Sequence, residues 1–191
     1  MNRAKNFFLE AAKTAREKKD TFILPLTKLL DFLNISPWQI TFFSFILGLC
    51  AAASLQFSKN IFIALILAHF LLDGIDGPLA RYKKIQSGRG WWIDYSSDRI
   101  VGLSIIVSTI FILKQNHYAI ALLFLYVLNN ALYLLRKKDY QIIHFEILLY
   151  YPLLYIDLNL GTIFYFWVSI ANLFIIAIWF LVLNFKKVKN I

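Results

Sequence analysis

The chain is organised around Asp73-Gly74-Ile75-Asp76-Gly77-Pro78-Leu79-Ala80-Arg81, followed after eight residues by Gly90-Trp91-Trp92-Ile93-Asp94-Tyr95-Ser96-Ser97-Asp98. Four of its eleven acidic residues lie in this window, between runs apolar enough to be membrane helices. A carboxylate close to hydrocarbon is costly, so its default reading there is functional. On a helix, Asp73, Asp76, Gly77 and Ala80 fall at i, i+3, i+4 and i+7, which is one face. Two carboxylates thus share a stripe with two residues that have almost no side chain, leaving room for a ligand against the backbone. Gly90, Asp94 and Asp98 fall at i, i+4 and i+8 on one face of a second helix. Packed antiparallel, the two helices would bring the four carboxylates together. An all-oxygen cluster suits Mg²⁺, Mn²⁺ or Ca²⁺ rather than zinc, and Mg²⁺ so held completes its shell with substrate phosphates. The competing reading is that the acids neutralise Arg81, Lys83, Lys84, Arg89 and Arg99. Four carboxylates on two matched faces beside glycines argue against it.

Outward from this window, the composition is that of a membrane protein. Of 191 residues, 60% are hydrophobic and 17% aromatic, above the roughly 45–50% apolar content of soluble domains. The expected fold is all-α and integral to the membrane, with six transmembrane helices after an N-terminal amphipathic interfacial helix. Residues 1–35 form the amphipathic segment and 36–191 the six-helix membrane domain. In the first, Phe7, Phe8, Ala11, Ala12 and Ala15 can face lipid while Lys5, Lys13, Arg16, Lys18 and Lys19 stay wet. Residues 21–35, broken by Pro25, Lys28 and Asp31, are too short and charged to count as a span. The first 20 residues have no apolar run before a cleavage site, so no signal peptide is expected. Cys50 is the single cysteine and cannot form an internal disulfide.

Ser36-Pro37-Trp38-Gln39 reads as a helix start, with Ser36 as cap, Pro37 in first position and Gln39 closing a capping box. The spans follow at about 38–57, 60–81, 90–113, 117–135, 141–157 and 161–185, by apolar run length. Pro78 should kink or loosen the second, because it removes one backbone hydrogen bond. Eighteen of the twenty Lys and Arg residues lie on the side of the N-terminus, the 82–89 and 136–139 loops and the C-terminus, leaving Lys59 and Lys114 opposite. By the positive-inside rule the first side is cytoplasmic, and the acidic window sits there in the cytoplasmic membrane, within reach of a soluble nucleotide. The net charge of +9 is therefore a topology signal with some attraction to anionic membrane lipids. Its dispersal over loops excludes nucleic acid as a partner.

The pattern D-x2-D-G-x2-A-R-x8-G-x3-D-x3-D, complete here at Asp73, Asp76, Gly77, Ala80, Arg81, Gly90, Asp94 and Asp98, resembles the signature of the CDP-alcohol phosphotransferases (CDP-alcohol phosphatidyltransferases). The resemblance implies a phospholipid-synthesis enzyme that cleaves a CDP-linked alcohol, releases CMP and joins the phosphoryl group to a hydroxyl. It implies Mg²⁺ or Mn²⁺, two ions, on Asp73, Asp76, Asp94 and Asp98, with Asp98 also the catalytic base. It places Asp73, Asp76, Gly77, Ala80, Arg81 and Gly90 at the nucleotide. Pro37-x-x-x-Thr41 resembles a weaker family feature near the nucleotide, although Trp38 stands where the family usually has Asn. The partners implied are a CDP-linked lipid, a polar alcohol acceptor and a second copy of the chain in a homodimer.

The acceptor is the open part. Asp94-Tyr95-Ser96-Ser97-Asp98-Arg99 resembles the inositol-type branches more than the glycerophosphate branch, with CDP-diacylglycerol or an ether analogue as donor. Arg136 and Lys137 could hold an anionic acceptor, although positive-inside anchoring is the plainer reading of them. Glu146 and Asp157 are acceptor candidates by position alone, and His117 and His144 have no partner at metal spacing. A soluble CDP-alcohol with a lipid acceptor is the alternative polarity. A divalent-cation transporter is the rival class, but its acids would sit near the midplane on broken helices rather than at one edge beside a basic loop.

Overall fold

A computed structural model describes residues 2–114, 117–135 and 145–188. These form seven helices and no strand: α1 (Asn2–Phe32), α2 (Pro37–Ser54), α3 (Lys59–Tyr82), α4 (Gly88–Ile112), α5 (His117–Leu135), α6 (Phe145–Ile156) and α7 (Leu158–Val188). Among the described residues, α2, α3, α4 and the Leu158–Ile175 stretch of α7 are long and apolar enough to cross a bilayer. Six spans were expected, and length and composition single out these four. The described part of the expected fifth span is α6, whose 12 residues reach only about 18 Å against a hydrocarbon core of about 30 Å. Arg136, Lys137 and His144 lie outside the described residues, as does the side chain of Glu146.

Residues 1–48 and 67–98 form one compact unit, and 49–66 with 99–191 another. In the first, α1 runs as one helix past residue 20 and through Pro25, and, as expected, it is not among the helices apolar enough to span. It stops in a Schellman turn: Ile35 N–H bonds to Leu30 O and Asn34 N–H to Asp31 O, both at 2.9 Å, with Asn34 at φ 55°. The helix start at Pro37 is made as the sequence predicts. Gln39 Oε1 accepts from Ser36 N–H at 2.7 Å, and Ser36 Oγ lies 3.4 Å from Gln39 N. The buried Ser44 of α2 and His69 of α3 are bonded reciprocally, Oγ to Nδ1 at 2.8 Å and Oγ to the His69 carbonyl at 3.0 Å. A buried histidine on an apolar helix needs such partners, and this pair sets how α2 lies on α3.

In the second unit α7 packs on α5 and α6. At Gly161 a methyl group would come within 2.8 Å of the Leu154 backbone nitrogen, so only hydrogen fits where α6 meets α7. Asp157 caps α7, its Oδ1 accepting from Leu160 N–H at 2.9 Å. That is a structural use of a residue the sequence offers as an acceptor contact. Stacked Tyr150 and Tyr165 lie 4.4 Å apart between ring centroids. Phe111, Phe124 and Trp167 stand more than half exposed, the surface expected of helices solvated by lipid.

Candidate metal centre

The two acidic helices are joined by a short turn built to reverse the chain. α3 ends in a second Schellman motif, with Ile85 N–H bonded to Ala80 O at 3.0 Å and Lys84 N–H to Arg81 O at 3.1 Å. Lys84 takes the left-handed conformation at φ 56°, a cost of about 1–2 kcal/mol for a residue with a Cβ. Ser87 then caps α4, its Oγ accepting from Gly90 N–H at 3.0 Å. Pro78 is buried and α3 stays continuous through it, so the expected loosening does not break the helix between Asp76 and Arg81.

This turn brings one ligand atom each of Asp73, Asp76 and Asp94 within 4.8 Å of one another. Asp98 stands outside that mutual set, close enough to Asp73 to act on it electrostatically. Asp76, the most enclosed of the three, accepts from Thr41 Oγ1 at 2.5 Å, with the Pro37 carbonyl 3.1 Å from the same hydroxyl. Asp94 Oδ1 is buried with no hydrogen-bond partner among the described residues. Three converging carboxylates, one of them with an unsatisfied buried oxygen, repel one another unless a cation lies between them. An all-oxygen set of this kind fits a hard divalent ion such as Mg²⁺, Mn²⁺ or Ca²⁺.

Two cavities meet at the cluster. The larger, about 430 Å³, is lined by Thr41, Asp76, Gly77, Ala80, Arg81 and Gly90, with Trp38, Trp91 and Asp94 on its walls. Every residue assigned by resemblance to the nucleotide is there except Asp73, which lines the smaller cavity of about 410 Å³ with Asp76, Gly77, Arg81 and Asp94. A side chain on Gly77 would begin 3.4 Å from the Arg81 guanidinium. The chain therefore keeps that wall open between the two spaces.

The partner of Arg81 is not one the sequence suggests. Its Nε and Nη2 donate to Asp20 at 2.7 and 2.6 Å, a two-pronged ion pair from α1. The guanidinium holds the Asp20 carboxyl below the usual aspartate range, against the opposing effect of burial. Lys83 and Asp31 form a second tie at 3.0 Å. Arg16 and Lys19 of α1 are exposed, as expected, and they also line the smaller cavity. The signal for Asp20 was weak: α1 also carries Glu10, Glu17 and Asp31, and nothing in the local pattern singles Asp20 out. His69 gave a better one, as a histidine on an apolar run four residues before Asp73.

A model of the CDP-alcohol phosphatidyltransferase family matches residues 34–185. No curated protein matches the chain.

Proposed function

The chain belongs to the CDP-alcohol phosphatidyltransferase family, a family of membrane transferases of phospholipid synthesis, and from that premise we propose how this member divides the work. The CDP moiety occupies the 430 Å³ cavity, its base between Trp38 and Trp91 and its pyrophosphate over Gly77. The acceptor alcohol enters the 410 Å³ cavity on the other side of Asp76 and Asp94. The observation that carries this reading is that both cavities share Asp76, Gly77, Arg81 and Asp94. Two substrates can then meet at the carboxylates without crossing helix.

Asp73, Asp76 and Asp94 would hold the divalent ion or ions, Mg²⁺ or Mn²⁺, with Asp98 completing the set; when bound, these offset charge on the pyrophosphate oxygens. Thr41 orients Asp76 and keeps one of its oxygens turned away from the ligand. Asp98 takes the proton from the acceptor hydroxyl. That oxygen bonds to the phosphorus carrying the lipid alcohol, the bond to the bridging oxygen breaks, and CMP departs with the bridging oxygen. Asp98 then returns its proton to solvent. The donor is CDP-diacylglycerol or an ether analogue.

The domain is 36–191 with six spans, preceded by the amphipathic segment 1–35. It works as a homodimer with its site on the cytoplasmic face, as the Lys/Arg bias supports. The test is CMP release by purified protein from CDP-diacylglycerol with a panel of polar alcohols, and from soluble CDP-alcohols with diacylglycerol. We expect turnover with Mg²⁺ or Mn²⁺ in the first arm and none in EDTA. Full turnover in chelator by protein holding no metal refutes the metal-dependent reaction, and turnover confined to the second arm reverses the polarity.

A further inference from the structure

Arg81 stands in the wall that the two cavities share, one helical turn after Gly77. Its guanidinium lies over that glycine: a Cβ there would be 3.4 Å from Nη1 and 3.9 Å from Nη2. Asp76 and Asp94 line the same two cavities. With no other partner, a cation in that wall would fold onto those carboxylates, because opposite charges attract strongly at short range inside a protein. Among the described residues, however, the ion-pair partner of Arg81 is Asp20.

Asp20 takes the guanidinium by one edge. Nε donates to one carboxylate oxygen at 2.7 Å and Nη2 to the other at 2.6 Å. Two parallel bonds fix the plane of the group as well as its place, which a single bond would not do. With the Nε edge committed, the Nη1 end is left for a ligand, and it is the end nearest Gly77. The hold comes from outside the acidic pattern altogether. Asp20 belongs to α1, which ends at Phe32, before the family match begins at residue 34. A second tie, Lys83–Asp31 at 3.0 Å, joins α1 to the turn after α3 without involving Arg81. Fastening α1 and aiming Arg81 are therefore separable.

We propose that Asp20 is a positioning residue for the transfer. It holds the Arg81 guanidinium by its Nε edge, clear of the converging carboxylates, with Nη1 turned to the donor pyrophosphate over Gly77. The proposal rests on the transferase reading above, which puts the pyrophosphate there. Asp20 itself touches no substrate. It delivers Arg81 to the phosphate already oriented, so that little side-chain freedom is lost when the donor binds. Through that one pair, α1 takes part in donor recognition.

The test uses full-length protein in neutral-lipid nanodiscs with Mg²⁺, titrated with CDP and separately with cytidine. Asp20→Asn should weaken CDP binding about tenfold, the worth of one charge-assisted hydrogen bond, and leave cytidine binding as it was. Asp31→Asn, which cuts the other tie, should leave CDP binding unchanged. In an Arg81→Gln background Asp20→Asn should add nothing, because the two residues act as one unit. Asp20→Glu keeps the charge that fastens α1 but lengthens the arm. It should weaken CDP in the same direction, and it is the variant to read if Asp20→Asn does not fold. Unchanged CDP affinity in the folded Asp20 variants overturns the proposal. So does an equal loss in Asp31→Asn, because docking of α1 as a whole would then be what matters. A loss of the same size without Arg81, or as large for cytidine as for CDP, overturns it as well. Failure of the unaltered protein to bind CDP would instead sink the transferase reading, so the two failures are distinguishable.

Discussion

At the residue scale the four aspartates are not equivalent. Asp73, Asp76 and Asp94 converge, while Asp98 is set beside Asp73, one turn along α4 from Asp94. A ligand and a base can be told apart by which property each one's loss removes. Asp98→Asn should lower turnover by roughly 10²-fold or more, the usual worth of a general base, while CDP still binds in the presence of metal. Asp76→Asn should weaken metal and nucleotide binding together, because it changes the oxygen that Thr41 orients. Titrating CDP and Mg²⁺ against each purified variant checks this. Equal loss of nucleotide binding in both would make Asp98 chiefly a ligand and move the base elsewhere. All four residues were legible in the sequence, because their spacing matches a helical face. Asp20 was not, because its role depends on an arginine 61 positions away.

Element by element, helix boundaries follow local chemistry and helix contacts follow small residues. The start of α2 at Pro37 was readable from Ser36 and Gln39, because a capping box closes within four residues. The tight meeting of α6 and α7 at Gly161 was not. A glycine in an apolar run reads alike whether it faces lipid or a neighbouring backbone. Gly161→Ala places a methyl 2.8 Å from Leu154 N and 3.0 Å from Leu153 C, both backbone atoms that cannot swing aside. It should destabilise the fold by about 1–3 kcal/mol, as overpacking does. The measure is thermal unfolding in detergent, with Gly88→Ala as control, since nothing lies within 4 Å of a Cβ there. Equal unfolding temperatures for the two variants would remove the argument for a glycine-dependent contact.

For the whole molecule, orientation is the property that charge alone should decide. Single cysteines at Lys84 and Lys59, placed in a Cys50→Ser background because Cys50 is itself exposed, should label from opposite faces, with Lys84 cytoplasmic. Labelling of both from one face would mean that α3 (Lys59–Tyr82) does not cross, and would undo the six-span layout. α1 is held to α3 and its following turn by the Asp20–Arg81 and Asp31–Lys83 pairs. It is therefore a fixed part of that unit, and its basic face is aimed at the carboxylates.

What the sequence determined by itself was the class and the chemistry: helical, membrane-embedded, with carboxylates in a family pattern. These are written in periodicities of three to four residues and in long apolar runs, which need no knowledge of the fold. Only the tertiary structure decided which three of the four acids converge, that two cavities share their wall, and that α1 supplies Arg16, Lys19 and Asp20 to the site. Those facts depend on contacts between segments distant in the chain. A lysine on an amphipathic helix has the same local signature whether its ammonium ends in water or over a cavity. The direction in which the helix is fastened decides between them, and here Asp20 does the fastening.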